Sequence, residues 1–331
     1  MNVIVDAHGA FLGVKDGRME IRLKSGEVKT VSFRQVKSVF VSRYCSLSVE
    51  LIALCNDFDI NLVFTEQGGR PFARIWNGKF GSIASVRRKQ LAFSEHEQGT
   101  NWIKKRVLTR MREQASFLQK CAFLPFADTE IVLQTAQKIE QIGTTTDLMQ
   151  SVVPENFKST LRGMEGSASA LYFRGISAAL PEEWRFSERS RRPAKDPYNA
   201  VLNYVLGILY AMTETALLKA GIDPFIGILH ADEYKKPVFS YDFIELYRHW
   251  AEEASFQILI AYKVSPRESF RCENGGLFLA GKAKKTVAEH FYRFLEETVT
   301  YNGKQRKRKN LMLLEAHAFA KQLLSFKEKR T

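Results

Sequence analysis

Cysteine is scarce and unpatterned: four residues, Cys45, Cys55, Cys121 and Cys272, with no CxxC pair among them. That spacing argues against a disulfide framework and a zinc knuckle, and predicts reduced thiols in or near the core of a cytoplasmic protein. The N-terminus, MNVIVDAHGAF, has no basic segment and carries Asp6 and His8 early, which argues against a secretory signal. A lipidation motif, a strongly basic amphipathic anchor and a long apolar run are all missing, so no membrane association is expected. Solenoid-period repeats and low-complexity tracts are absent too.

Several familiar catalytic patterns are incomplete. No GxSxG nucleophile elbow occurs. Gly276 to Ala283 (GLFLAGKA) nearly spells a phosphate loop, but Ala283 stands where the magnesium-binding hydroxyl belongs. Its interior Leu277, Phe278 and Leu279 are too bulky for a loop that must curl its amides around phosphate, so a strand or hairpin is predicted. His96-Glu97 opens like HExxH, but the second histidine is lacking and Gly99 is expected to break the helix. His249, His290 and His317 have no paired ligand spacing, although His249 lies four residues after Glu245.

What is present is length, charge and a change of texture. The chain has 331 residues, enough for two domains, and 49 Lys and Arg against 36 Asp and Glu, a net charge of +13. Such an excess favours a polyanionic partner, nucleic acid first. Short apolar or alternating runs at 3–5, 11–14, 19–23, 28–33, 36–41, 61–65 and 71–76 predict strands. Gly9, Asp16-Gly17, Ser25-Gly26 and Gly68-Gly69 supply the turns, and one helix is expected over 46–57. After Asn77-Gly78 the pattern turns to period 3.6, with helices expected over 83–92, 99–123, 128–142, 157–180, 197–220, 241–260, 283–299 and 310–326. The fold class read from this is α+β: a β-rich domain over residues 1–80, then a larger all-α domain over 81–331.

Two stretches carry the chemistry. In GIDPFIGILHADEYKKPVFSYDFIELYRHW (221–250) an apolar run ends at His230, a polar loop follows, and Asp242 and Glu245 stand three apart on a predicted helix. Ser240 is a candidate N-cap there, and the two carboxylates would share a face. In LRGMEGSASALYFRGI (161–176) Glu165 sits between Gly163 and Gly166 within good helix formers. Each glycine costs about 1 kcal/mol relative to alanine, which close backbone packing or ligand access would offset. Basic clusters lie at 87–89, at Lys104, Lys105 and Arg106 with Arg110 and Arg112, at Arg189, Arg191 and Arg192, and at 304–309 (KQRKRK). They read either as solvated faces or as phosphate contacts.

Together these stretches resemble the Cas1 family, the integrase of CRISPR adaptation. GMEGSASALYF is similar to the family's glutamate motif. DPYNAVLNYVLGILY after the basic RSRRPAK loop is similar to its DP-x-N-A helix. GIDPFIGILH with the later DFIE is similar to its histidine and paired acids. VSRYCSLSVELIALCNDFDINLVFTEQGG looks like the strand–helix–strand of the family's β-domain. The resemblance implies a β-rich dimerisation domain and a helical catalytic domain. It implies Glu165, His230 and Glu245 as ligands of Mg²⁺ or Mn²⁺, with Asp242 a fourth catalytic residue beside them and Asn199 near the site. An oxygen-rich set with one imidazole agrees with such ions. The partners implied are double-stranded and branched DNA, a second copy of the chain, and a Cas2 dimer. Arg189, Arg191, Arg192, Lys304, Arg306, Lys307 and Arg308 are the candidate DNA contacts. The activity implied is joining of spacer 3′-hydroxyls to a repeat by transesterification, with hydrolysis when water attacks instead. The alternatives are a stand-alone structure-selective nuclease and a silent DNA-binding scaffold.

Overall fold

The computed structural model describes residues 1–66, 71–75, 84–149, 154–266 and 268–327, and the chain divides into two units, Met1–Gly81 and Ser82–Thr331. The first unit holds β1 (Asn2–Val5), β2 (Phe11–Lys15), β3 (Arg18–Arg22), β4 (Val28–Val31), β5 (Ser38–Ser42), β6 (Ser46–Leu47), α1 (Val49–Asp57), β7 (Asn61–Thr65) and β8 (Pro71–Arg74). One four-stranded sheet runs β1-β5-β7-β8, with β1, β5 and β7 parallel and β8 antiparallel. The other runs β4-β3-β2-β6, where β2, β3 and β4 form an antiparallel meander. The β2–β3 hairpin turns on Asp16 and Gly17, both at positive φ, as a two-residue turn between twisted strands requires. The Ser48 hydroxyl accepts from Leu51 N–H and starts α1. Buried Val3, Val5, Leu12, Met19, Val39, Val41, Leu51 and Leu62 fill this unit's core. The expected strands are found within a residue or two at most ends. The Gly68-Gly69 turn and the Asn77-Gly78 junction lie outside the described residues.

The second unit carries α2 (Ala84–Ser94), α3 (Glu97–Cys121), α4 (Thr129–Leu148), α5 (Pro154–Ala178), α6 (Pro197–Lys219), α7 (Val238–Ile244) and α8 (Arg248–Ile260). It continues with β9 (Phe270–Glu273), β10 (Gly276–Leu279), α9 (Gly281–Glu296), β11 (Thr298–Tyr301), β12 (Lys304–Lys307) and α10 (Arg308–Ser325). Helices α3, α4 and α5 pack together, and α6 is surrounded by α7, α8, α9 and α10. By length and composition α6 could cross a membrane, but 72% of its apolar window is buried inside the protein. It is therefore the core helix of this unit, and it corrects the expectation that the chain has no long apolar run.

The unit is not all helix. Two hairpins interrupt it, β9–β10 turning on Asn274-Gly275 and β11–β12 turning on Asn302-Gly303, all four turn residues at positive φ. The first agrees with the hairpin expected from Gly276 onward. The second replaces the expected end of a helix at Val299. The helix expected over 241–260 is two helices, broken where Tyr247 N–H bonds back to the Ile244 carbonyl. Gly99 does not break a helix: α3 runs through it, with His96 as N-cap accepting from Gln98 N–H. A Cβ at Gly99 would collide with the Phe93 carbonyl, so glycine is required by the close approach of the two helices. The thiols are free, with Cys55 and Cys121 buried and Cys45 half-buried; Cys272, expected inside, is exposed on β9.

Candidate metal centre

Helix α5 presents Glu165 midway along its length. Added Cβ atoms at Gly163 and Gly166 would meet nothing within 4 Å. Close packing therefore does not explain these glycines, and an uncrowded surface on either side of the carboxylate remains the reading. Glu245 is the C-cap of α7, immediately at the break before α8. The two carboxylates meet on one atom: Arg110 Nη1, from α3, donates to Glu165 Oε1 at 2.7 Å and to Glu245 Oε2 at 2.7 Å. Arg248, first residue of α8, donates to the other Glu245 oxygen at 2.9 Å. Arg110 Nη2 reaches Glu252 at 3.2 Å and Ser169 at 3.3 Å, and Gln114 donates to the remaining Glu252 oxygen at 2.9 Å.

This is a buried charge network, and its electrostatics follow from that. Burial alone would push the Glu245 carboxyl up, but the Arg110 and Arg248 guanidinia bring it down to about 2. The same carboxylates hold Arg110 firmly protonated against its own desolvation. Desolvation, helped by the nearby Arg110 and Arg308 charges, pushes half-buried His249 down to about 3, and it stays neutral.

His230 and Asp242 form the second half of the site. Asp242, fully buried on α7, accepts from three consecutive backbone N–H groups: Ile228 at 2.6 Å, Leu229 at 3.0 Å and His230 at 3.2 Å. Its Oδ1 also lies 2.6 Å from His230 Nδ1. Gly227 makes the turn possible, since a Cβ there would strike the His230 carbonyl. Ser240 is not the N-cap of α7: the helix begins two residues earlier, and the Ser240 hydroxyl is buried within it without a partner among the described residues. Burial depresses the His230 pKa, but the Asp242 hydrogen bond and charge, helped by Glu245 and Glu165, more than reverse this and raise it. Asp242, expected as a catalytic residue, has its oxygens committed to the 228–230 turn and the ring. With Nδ1 engaged, Nε2 is the ring atom left for a ligand, a carboxylate–histidine arrangement that favours metal binding.

Among the described residues no three His, Cys, Asp or Glu side chains converge closely enough to hold a metal as they stand. Glu165 and Glu245 are brought together; His230 feels both charges but bonds to neither. The donor chemistry, two carboxylates and an oriented imidazole, suits a hard or borderline divalent ion. The side chains are 24% exposed at Glu165, 36% at His230 and 2% at Glu245, so the site opens on the Glu165–His230 side.

The candidate DNA contacts separate clearly. Arg189 is structural: its guanidinium donates to Asn199 Oδ1 at 2.7 Å and Asn203 Oδ1 at 2.6 Å and lies over the Phe173 ring. Desolvation lowers its pKa to about 10. Asn199 also donates to Asp196, the N-cap of α6, and to the Glu188 carbonyl. Its role is to clamp the 188–196 loop onto α6. Arg308 is tied to Glu297, the Phe294 carbonyl and the Phe294 ring, and Lys307 to Glu296. Arg189 and Arg308 are both engaged by these protein partners. Lys304 and Arg306 stand exposed on β12, and Arg191 and Arg192 stand exposed on the loop before α6. Arg110, grouped by sequence with a basic run, is the hub of the buried carboxylates. Arg106 of that run bridges to Glu315 and covers the Trp102 ring.

The family model for CRISPR associated protein Cas1 matches residues 3–293. The chain belongs to the Cas1 family. A CRISPR-associated endonuclease Cas1 of Archaeoglobus fulgidus is 26% identical over 326 residues, covering 96% of this chain and 94% of that one. A Thermus thermophilus relative of the same description is 34% identical over 169 residues, half of each chain. Among solved structures, a Cas1 protein from Thermotoga maritima superimposes with TM-score 0.81 at 18% identity, covering 100% of this chain and 99% of that one. A casposase bound to an integration product superimposes with TM-score 0.81 at 20% identity, covering 99% and 92%. These likenesses establish a shared Cas1 fold.

Proposed function

We propose that this chain is a divalent-metal-dependent DNA integrase and endonuclease of CRISPR adaptation, which joins the 3′-hydroxyls of spacer DNA to a repeat by transesterification. The observation that carries the reading is the meeting of Glu165 and Glu245 at one point, beside an imidazole whose Nδ1 is already committed to Asp242. Glu165, Glu245 and His230 Nε2 would hold Mg²⁺ or Mn²⁺, which when bound supplies a Lewis acid for a phosphate oxygen. Asp242 fixes the ring orientation by holding three amides and Nδ1 together. Half-buried Glu165 and His230 mark the side from which a phosphodiester enters, and buried Glu245 anchors the interior side. Exposed Lys304, Arg306, Arg191 and Arg192 supply phosphate contacts that position DNA without reading bases. Deformation of the repeat adds sequence preference.

The same site hydrolyses when water replaces the 3′-hydroxyl, consistent with relatives described as endonucleases. The working assembly is a homodimer joined through the N-terminal unit and carried on a Cas2 dimer in the cytoplasm. A fold relative described within a Cas6-RT-Cas1–Cas2 complex, with TM-score 0.80, supports that partner.

The test is strand transfer from a labelled duplex with free 3′-hydroxyls into a supercoiled repeat-bearing plasmid, with Cas2, with and without Mn²⁺. Label joined only with metal, and lost in Glu165→Ala and His230→Ala while DNA binding persists, is the expected result. Metal-independent joining, or full turnover in either variant, would overturn the assignment.

A further inference from the structure

Arg110 occupies the place between Glu165 and Glu245 where a divalent cation would be shared. Both glutamates bond to the same nitrogen at 2.7 Å, so their oxygens lie within twice that distance of each other. A guanidinium nitrogen and a metal ion would repel strongly at that point. Arg110 also has a third acid on its other side. Glu252, side chain 1% exposed, bonds Nη2 at 3.2 Å and is held in turn by Gln114, while Ser169 also accepts from Nη2. Arg110 Nε has no hydrogen-bond partner among the described residues, so the guanidinium retains a spare donor.

We infer that Arg110 is a built-in counter-cation that keeps the two metal-site carboxylates together in the metal-free protein and yields them to the metal by shifting onto Glu252. The inference rests on the metal-site reading above. The physical need is plain. Arg248 pairs one oxygen of buried Glu245, but Glu165 and Glu245 together carry two negative charges, and without Arg110 between them the metal-free pair would be one cation short. With a divalent ion bound, the opposite problem arises, an extra buried cation, and Glu252 is the acid that keeps Arg110 paired. Glu252 is thereby assigned as a positioning residue acting through Arg110, not as a metal ligand.

A rigid template and a yielding counter-cation predict opposite results. If Arg110 merely holds the carboxylates in place, removing it weakens metal binding. If it competes, removing it tightens binding. The experiment is Mn²⁺ titration of the full chain followed by the electron paramagnetic resonance signal of free Mn²⁺, a readout independent of DNA joining. Wild type, Arg110→Gln, Glu252→Gln and the double variant would be compared, with Glu165→Ala as the site control. We expect Arg110→Gln to bind Mn²⁺ about tenfold more tightly or better, given the strength of close like-charge repulsion in a poorly solvated site. Glu252→Gln, which strands Arg110 beside the metal, should bind about tenfold more weakly. In the double variant the Glu252 effect should vanish, since it acts only through Arg110. Thermal melting in chelator and in Mn²⁺ adds a second readout: Arg110→Gln should lose stability without metal and regain more of it with metal than wild type does. Should Arg110→Gln fail to fold, Glu252→Gln decides alone, and unchanged or tighter binding there overturns the inference. Equal or weaker binding in a folded Arg110→Gln overturns it as well. Absence of Mn²⁺ binding in wild type and Glu165→Ala alike would remove the metal site itself, a failure distinct from unchanged affinity in a wild type that binds.

Discussion

Replacing Asp242 by asparagine tests how the site is built. Oδ2 takes the Ile228 and Leu229 amides, and Oδ1 takes the His230 amide and lies against the His230 ring nitrogen. An asparagine keeps one oxygen and turns the other position into an N–H donor facing donors. With its oxygen at the Oδ1 position it loses the Ile228 and Leu229 bonds; turned the other way it loses the His230 amide bond and meets the ring only by donating to an unprotonated Nδ1. Bonds to a charged acceptor are worth about 1.5–3 kcal/mol each, so Asp242→Asn, losing one or two of them, should cost about 2–6 kcal/mol. Against a total stability of about 5–15 kcal/mol that is a large fraction, easily read by urea unfolding in metal-free buffer. A second consequence has a definite sign. The folded His230 pKa is raised above its ordinary 6.5. The pairing therefore stabilises fully below pH 6.5, and that increment is lost as pH rises through the higher folded value. Asp242→Asn removes the two favourable influences of its own side chain and leaves burial, so His230 should titrate lower by NMR and this limb of the pH profile should flatten. A stability change below about 1 kcal/mol together with an unmoved His230 titration would refute the reasoning.

Two further predictions follow from the same geometry. Glu245, held down to about 2, contributes stability that is present above its ordinary 4.5 and is lost as pH falls through about 2; acid unfolding of Glu245→Gln in metal-free buffer should lack that limb, and an unchanged acid limb would contradict the pairing with Arg110 and Arg248. Lys304→Glu with Arg306→Glu should weaken DNA binding and flatten its salt slope by about 0.9 for each phosphate no longer neutralised, whereas Arg189→Ala should lower unfolding stability and leave the slope nearly unchanged; the reverse pattern would return Arg189 to the DNA surface.

The strands of the N-terminal unit are legible in the sequence because each is short, apolar or alternating, and bounded by a turn residue that left-handed backbone requires. Asp16-Gly17 is such a turn, and it is found at positive φ between β2 and β3. The same signal is present at Asn302-Gly303, between TVTY and KQRK, and marks the β11–β12 hairpin. It is masked by the helical period running up to Glu296 and by the look of KQRKRK as one charged run. In fact that run is divided, with Lys304 to Lys307 in a strand and Arg308 and Lys309 opening α10. The break at 245–247 has no comparable signal. No glycine or proline marks it, and the Glu245 carboxylate that stands there meets Arg110, more than a hundred positions away in the chain.

The site shows the same boundary between local and long-range information. His230, Asp242 and Glu165 stand out locally, as polar groups in apolar or glycine-flanked settings. Arg110 does not, because lysines and arginines crowd the segment around it. Its position on the helix is nonetheless informative: Trp102, Ile103, Arg106, Val107, Arg110, Met111, Gln114, Ala115 and Leu118 recur every three or four residues along α3, and most of them are buried. A basic residue inside that stripe must have a buried acid to face. Glu252 meets the same test on α8, buried with Ala251, Ala254, Ser255 and Ile258 as its helical neighbours. Their opposite charges, each on the apolar stripe of a different long helix, meet in the structure, but Arg106 on the same α3 stripe and Arg248 four residues before Glu252 leave the choice of partner to the tertiary fold. The pairing then constrains the metal site, because a guanidinium brought to Glu252 at 3.2 Å is also brought within reach of Glu245.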